Sequence, residues 1–187
     1  LHVCDKNLEQ IEPIKITNTH NLLVDVCQAA KYEGQSITRY YQRYRATYDD
    51  SPSQICTVLA RSFADIGDII RGKDLYLGDK GEKKKLEEKL KQYFKNIYDK
   101  LDGKNGKNLQ ALKDRYEGDT DNFFKLREDW WALNRKDVWK ALTCEASGTY
   151  FRHTCSDENQ PTPTQGNCKC INGDVPTYFD YVPQYLR

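Results

Sequence analysis

The stretch Ala60-Arg61-Ser62-Phe63-Ala64-Asp65-Ile66-Gly67-Asp68-Ile69-Ile70-Arg71-Gly72 decides the fold class. Its apolar residues recur every three or four positions, the period of one face of an α-helix. Phe63, Ile66, Ile69 and Ile70 make the buried stripe, and Gly67 lets a neighbouring helix approach closely. Asp65 and Asp68 fall on the other, polar side. Upstream the stripe continues through Ile55, Val58 and Leu59, behind Ser51-Pro52, a cap residue followed by proline at the first helical position. Gly72 ends the run.

Working outward, the same period holds through most of residues 19–142. Thr19 or Asn18 caps a helix that carries Leu22, Leu23, Val26, Cys27 and Ala30 on one face, and Gly34 is expected to break it. Ser36 then starts a second run with Ile37, Tyr40, Tyr41, Tyr44 and Tyr48 in register. After a loop containing Gly78 and Gly81, a strongly charged helix turns Leu86, Leu90, Phe94, Ile97 and Leu101 inward. Gly103-Lys104-Asn105-Gly106-Lys107-Asn108 is a turn-forming loop. The last long run, about Asp119 to Leu142, places Phe123, Leu126, Trp130, Leu133, Val138 and Leu142 at helical intervals. No segment sustains the alternation of a strand. The expected fold is all-α, a helical bundle over 17–142.

The character changes at Thr143. Residues 143–175 hold four of the seven cysteines among Gly, Pro, Thr, Ser and Asn, with no helical period. A loop of that length is functional or tied down, and the cysteines argue that it is tied down. A final short helix is expected from about Pro176, in a segment 176–187.

The cysteines also bear on the compartment. Cys4, Cys27, Cys56, Cys144, Cys155, Cys168 and Cys170 are many for a reducing cytosol and favour a disulfide framework in an oxidising one. Cys168-Lys169-Cys170 cannot close comfortably on itself, so each is expected to reach a different partner. Cys27, Cys56, Cys144 and Cys155 are the candidates, and spacing alone leaves the connectivity open. Zinc held by His153, Cys155, Cys168 and Cys170 is the sharper alternative. Its ligand pairs are tighter than the usual two to four residues, so no metal and no cofactor is expected. Seven is odd, which leaves Cys4, near the N-terminal edge, as the natural candidate for a partner in other sequence.

Composition narrows the function classes. Mean hydropathy is −0.86, near that of disordered chains, yet 13 Tyr, 6 Phe and 3 Trp supply the bulk for a core. A formal net charge of +1 offers no global field for nucleic acid. No apolar run approaches the ~20 residues that span a bilayer, so no membrane insertion is expected of this segment. With no Met and a start at Leu1-His2-Val3-Cys4, the chain reads as a piece of something larger. The three histidines are scattered and no catalytic motif occurs, so no catalytic residue is assigned and an enzyme is not expected.

Two surfaces are candidate binding sites. Between Lys80 and Arg115 there are 12 Lys/Arg against 6 Asp/Glu, and Lys84, Lys91 and Lys95 share one stripe of the charged helix. With Lys104 and Lys107 they suit a sulfated or sialylated glycan, against the plainer reading of a solvated face supported by pairs such as Glu87 with Lys91. The tyrosines 40, 41, 44 and 48 are read first as core with their hydroxyls at the edge. The alternative is a carbohydrate platform beside Arg39, Arg43 and Arg45.

The helix quoted at the outset, continued through Lys73-Asp74-Leu75, resembles the signature helix of Duffy-binding-like domains. Asp180-Tyr181-Val182-Pro183-Gln184-Tyr185-Leu186-Arg187 resembles the block that opens that family's next helix. Together they resemble the alpha class, the head domain of the variant erythrocyte membrane proteins of malaria parasites. Leu1-His2-Val3-Cys4, Ala29-Ala30-Lys31-Tyr32-Glu33-Gly34 and Trp139-Lys140-Ala141-Leu142-Thr143-Cys144 fit the same pattern in the same order. The resemblance implies the end of a first subdomain over 1–16 followed by nearly all of a second, helical one. It implies that Cys4 pairs backward into the first subdomain and that Cys56 pairs with Cys168 or Cys170. It implies adhesion rather than chemistry: an extracellular module on the infected erythrocyte that binds a host erythrocyte receptor or a heparan-sulfate-like or blood-group glycan, as in rosetting, beside neighbouring domains of its parent. The signature motif itself reads as architecture. Receptor choice is expected on the exposed segments 76–85, 102–119 and 145–168. A spacer that supports a neighbouring receptor-binding domain is the second reading, and a secreted enzyme or inhibitor the third.

Overall fold

The computed structural model describes residues 19–48, 54–75, 81–101, 109–156 and 160–187. They form five α-helices: α1 Thr19–Tyr48, α2 Ile55–Arg71, α3 Glu82–Leu101, α4 Leu109–Arg115 and α5 Phe124–Leu142. Two 3₁₀ turns, Phe179–Tyr181 and Gln184–Leu186, follow an irregular segment. No strand occurs among the described residues, and the fold is all-α. The helix α5 packs against α1, α2 and α3, and α2 is covered on a further side by the first 3₁₀ turn.

One expected break is absent. α1 runs unbroken for 30 residues through Gly34. A Cβ at Gly34 would stand 1.9 Å from the carbonyl oxygen of Leu142, so the glycine is a notch where the end of α5 crosses α1. A mid-helix glycine costs about 1 kcal/mol, and the packing of Leu22, Val26, Ala29 and Ala30 outweighs it. Gly67 serves α2 in the same way: its Cβ would meet the Trp131 ring at 2.9 Å.

α2 ends as its sequence requires. Gly72 is left-handed at φ 71°, its N–H bonds Ile69 O, and Lys73 N–H bonds Asp68 O at 2.8 Å. This pair of bonds is a Schellman cap. The N-terminal cap expected at Ser51-Pro52 lies outside the described residues.

Other expectations are corrected. α5 begins at Phe124 and not near Asp119. Phe123 adopts φ 55° to place its ring beside Tyr98, centroids 5.7 Å apart, and Asp119 Oδ2 accepts the N–H of Leu126 at 3.0 Å as a cap. Leu133, read as inward, is 82% exposed, and Val58 is exposed as well. The segment 102–119, read as exposed, contains the short helix α4, and Tyr116 just past its end is buried. The final helix expected from Pro176 is two 3₁₀ turns.

The polar side of α2 is also not a solvent face. Asp68 is buried beneath Arg71 and Arg187, and Asp65 pairs with Arg187 at 3.6 Å. Arg71 is buried too, bonding Gly67 O, Glu128 and the carbonyl of Asp180. The Asp180 carboxylate accepts from Trp131 Nε1 at 2.9 Å and from Arg135 at 2.7 and 2.8 Å. Arg127 has no exposed surface: it reaches Ile69 O and Ile70 O at the end of α2 and both carboxylate oxygens of Glu87 on α3. Buried charges persist only where paired and hydrogen-bonded. Here they tie three helices and the C-terminal segment together.

The irregular segment is held at named points. Cys56 joins Cys168 and Cys155 joins Cys170, so the two cysteines of the Cys-x-Cys pair reach different partners. Cross-linking α2 to a site 112 residues away removes about 4–5 kcal/mol of chain entropy from the unfolded state in the loop-closure account. The zinc alternative is thereby overturned, because three of its four ligands are spent in disulfides. Further anchors are Trp139 Nε1 to Cys168 O at 3.1 Å, Lys136 to Asp174 at 2.8 Å, and paired backbone bonds between Cys155 and Thr162.

Candidate binding surface

The second half of α1 gives only one side to the core. Thr38 is buried and Ile37 and Tyr41 partly so, whereas Tyr40 is 73% exposed and Tyr44 is exposed as well. The core reading of the tyrosine run therefore fails for Tyr40 and Tyr44. The side chain of Tyr48 is outside the described residues. The physical reason is the position of α5, which crosses α1 at Gly34 and lies on the opposite side of the helix.

On that outer face, Tyr32, Gln35, Ser36, Arg39, Tyr40 and Arg43 line a shallow groove of about 410 Å³. The positions 32, 36, 39, 40 and 43 fall on one side of a helix by their spacing. Arg39 and Arg43 stand one turn apart, about 6 Å along the axis, and both are exposed. After Glu33 the helix carries no acidic residue, and Glu33 itself is buried, accepting the Ser62 hydroxyl at 2.9 Å. Glu145 reaches the near edge of the groove, accepting a bond from Gln35. The result is two guanidinium groups and two phenol rings lining one groove, on a stretch of helix with no carboxylate of its own after Glu33.

The lysine stripe is arranged differently. Lys84 and Lys95 are exposed on α3 and Lys91 half so. Lys95 is paired with Asp99 at 2.7 Å. Glu87 does not support Lys91; it turns inward to Arg127. Lys104 and Lys107 lie outside the described residues. The stripe and the α1 groove are on different helices and share no lining residue.

Of the remaining cysteines, Cys4 lies outside the described residues, and Cys27 and Cys144 carry no disulfide. Burial, with the charge of Asp137 behind it, pushes the Cys27 thiol up to about 11, whereas Cys144 is exposed. No group of three or more metal-ligating side chains occurs among the described residues.

The buried arginines were missed in the sequence, although a signal exists. Arg127, Trp131, Arg135 and Trp139 recur every four residues, so the arginines share a face with two buried indoles. A cation in that register needs an internal partner.

Comparison with known proteins fits this architecture. The PfEMP1 IT4var13 DBLbeta domain bound to ICAM-1 superposes with a TM-score of 0.68 at 32% identity, over 99% of this chain and 40% of that one. The ICAM-1-binding IT4var13 DBLbeta domain gives a TM-score of 0.67 at 33% identity, over 100% of this chain and 39% of that one. A further PfEMP1 DBLb domain bound to human ICAM-1 gives 0.50 at 35% identity, over 77% of this chain and 28% of that one. The chain thus spans about two-fifths of the first two domains it matches. No curated protein sequence matches it. The sequence profile of the Duffy binding domain matches residues 1–187. With the helical architecture and the disulfide-tied segment superposing on solved domains of that kind, the chain belongs to the Duffy binding domain family.

Proposed function

We propose that this chain is part of an extracellular adhesion domain, displayed on the infected erythrocyte, that binds a host-cell surface receptor by contact alone. The observation that carries the reading is the outer face of α1, where tyrosines that fit a core by their spacing instead stand in solvent beside Arg39 and Arg43. Tyr and Arg are the residues most enriched among those that dominate binding energy at interfaces. The matched PfEMP1 domains, one bound to ICAM-1 and one ICAM-1-binding, support receptor binding as the use of the fold.

The outer face of α1 favours an anionic glycan of the heparan-sulfate kind. Guanidinium groups take sulfate and carboxylate oxygens in a bidentate fork, and phenol rings offer a flat apolar face to a sugar. Lys84, Lys91 and Lys95 on α3 are a second cationic surface for the same ligand. Within that stripe Lys95 is paired with Asp99.

The test is binding of the folded chain to uninfected erythrocytes across a salt series, with soluble heparin as competitor. Binding that falls with salt and is competed by heparin supports the reading. Salt-insensitive binding moves the ligand to a neutral glycan or a protein. Absence of binding by a folded chain favours the spacer role.

A further inference from the structure

Among the described residues, α2 begins without a side-chain cap. Gln54 stands at the N-terminal cap position and makes no side-chain hydrogen bond to the helix, and no acidic residue lies in the first turn. The N–H groups and the positive dipole end of a 17-residue helix point out of that turn. Against it lies a cavity of about 280 Å³, lined by Thr38, Tyr41, Gln42 and Arg45 from α1, Ile55 from α2 and Ser147 from the disulfide-tied segment. Ile55 is the first residue of α2 and is buried, so the helix start forms one closed wall. Tyr41 holds the opposite wall to it, its hydroxyl accepting the N–H of Gln54 at 2.9 Å. Thr38 is only 6% exposed, and its hydroxyl has no hydrogen-bond partner within the chain. Buried polar groups in native folds are satisfied with few exceptions, so this one points to a group bound in the cavity.

We propose that this cavity holds a free inorganic oxyanion of the phosphate kind, which caps α2 and staples it to α1 and to the disulfide-tied segment. The sign of the charge follows from the lining. Among the described residues no carboxylate lines the cavity, and its charge comes from Arg45. A guanidinium carries five N–H donors, so Arg45 serves an anion beside its other contacts. The Thr38 and Ser147 hydroxyls and the Gln42 amide all donate, and the end of the helix dipole adds to them. Donors that arrive from three parts of the chain suit the several oxygens of a tetrahedral ion. The same hydroxyls also accept, which serves the proton that phosphate retains at neutral pH. The volume takes such an ion with a few waters, at about 30 Å³ for each water. The cavity shares no lining residue with the groove of Arg39 and Arg43, and the inference does not depend on the adhesive reading.

The experiment is thermal melting of the full chain against inorganic phosphate, with sodium chloride holding the ionic strength constant. Above the dissociation constant, each tenfold rise in phosphate should favour the folded state about tenfold, a rise of about 3–5 °C in Tm for a chain of this size. T38V keeps the shape of the side chain and removes only its hydroxyl. It should weaken phosphate binding by at least about tenfold, the worth of one hydrogen bond to a charged group. Without phosphate T38V should melt no lower than the parent, because the hydroxyl it lacks is unsatisfied within the chain. R45Q should lose most of the response, and R39E/R43E should keep it. An equal rise in the parent and T38V would be the general stabilisation that phosphate gives any protein surface, and overturns the proposal. No rise at all also overturns it and leaves the Thr38 hydroxyl to water. A stronger response to glucose 6-phosphate than to inorganic phosphate overturns the free ion in favour of a phosphate carried on a larger molecule.

Discussion

Two helices with the same apolar period end in opposite surroundings. α2 is enclosed on nearly every side, by α1, by α5 and by the turn at Phe179–Tyr181, so that even Asp68 and Arg71 are buried. α1 beyond Gly34 turns one side to the core and leaves Arg39, Tyr40, Arg43 and Tyr44 in water. A stripe in sequence establishes that one face is buried. How many further faces are covered depends on neighbours that the stripe does not record. In α2 the extra coverage is architecture, and the second half of α1 lacks it among the described residues.

The contrast is breakable at its crossing point. Gly34→Val places atoms where the Leu142 carbonyl stands, with no flexible side chain to yield, and should cost more than about 4 kcal/mol or prevent folding, read as loss of the cooperative melt. A stable G34V protein would mean that α5 does not cross α1 there. Next in size is Asp180→Ala, which leaves Arg135 and the Trp131 indole without their shared acceptor. Removing one partner of a buried pair costs about 3–5 kcal/mol, and chemical denaturation should read a loss in that range. A loss below 1 kcal/mol (roughly the worth of a surface pair) would show that the α2 enclosure is ordinary surface. Asp119→Ala removes the cap on α5 and should cost about 1 kcal/mol by the same measurement. Smallest is Tyr40→Ala, which should stay within about 0.5 kcal/mol of the parent while reducing receptor binding; a large destabilisation would return Tyr40 to the core.

The helical class was legible because Phe63, Ile66 and Ile70 are buried together, and Gly67 and Gly72 do what their positions suggest: a close approach to Trp131 and a left-handed cap. Gly34 misled because the same residue type ends helices and admits close crossings, and only the partner helix distinguishes the two. Tyr40 and Tyr44 misled because tyrosine suits both a core edge and a wet interface. Leu133 misled because its spacing matches buried neighbours while its side of α5 is exposed among the described residues. The partners of Cys168 and Cys170 depend on contacts 112 and 15 residues away, beyond any local pattern. The α1 groove was half legible: Arg39 and Arg43 were visible as candidates, and Tyr32, Gln35 and Ser36 join them only once α1 is continuous through Gly34.

Charge reversal on each of the two helices separates the α1 groove from the α3 stripe. R39E/R43E on α1 and K84E/K91E/K95E on α3 would be measured side by side for erythrocyte binding at low salt, with melting curves to establish folding. The α1 reversal should abolish heparin-competed binding while the α3 reversal weakens it only in part. Undiminished binding in a folded R39E/R43E chain would contradict the account and move the site off the outer face of α1.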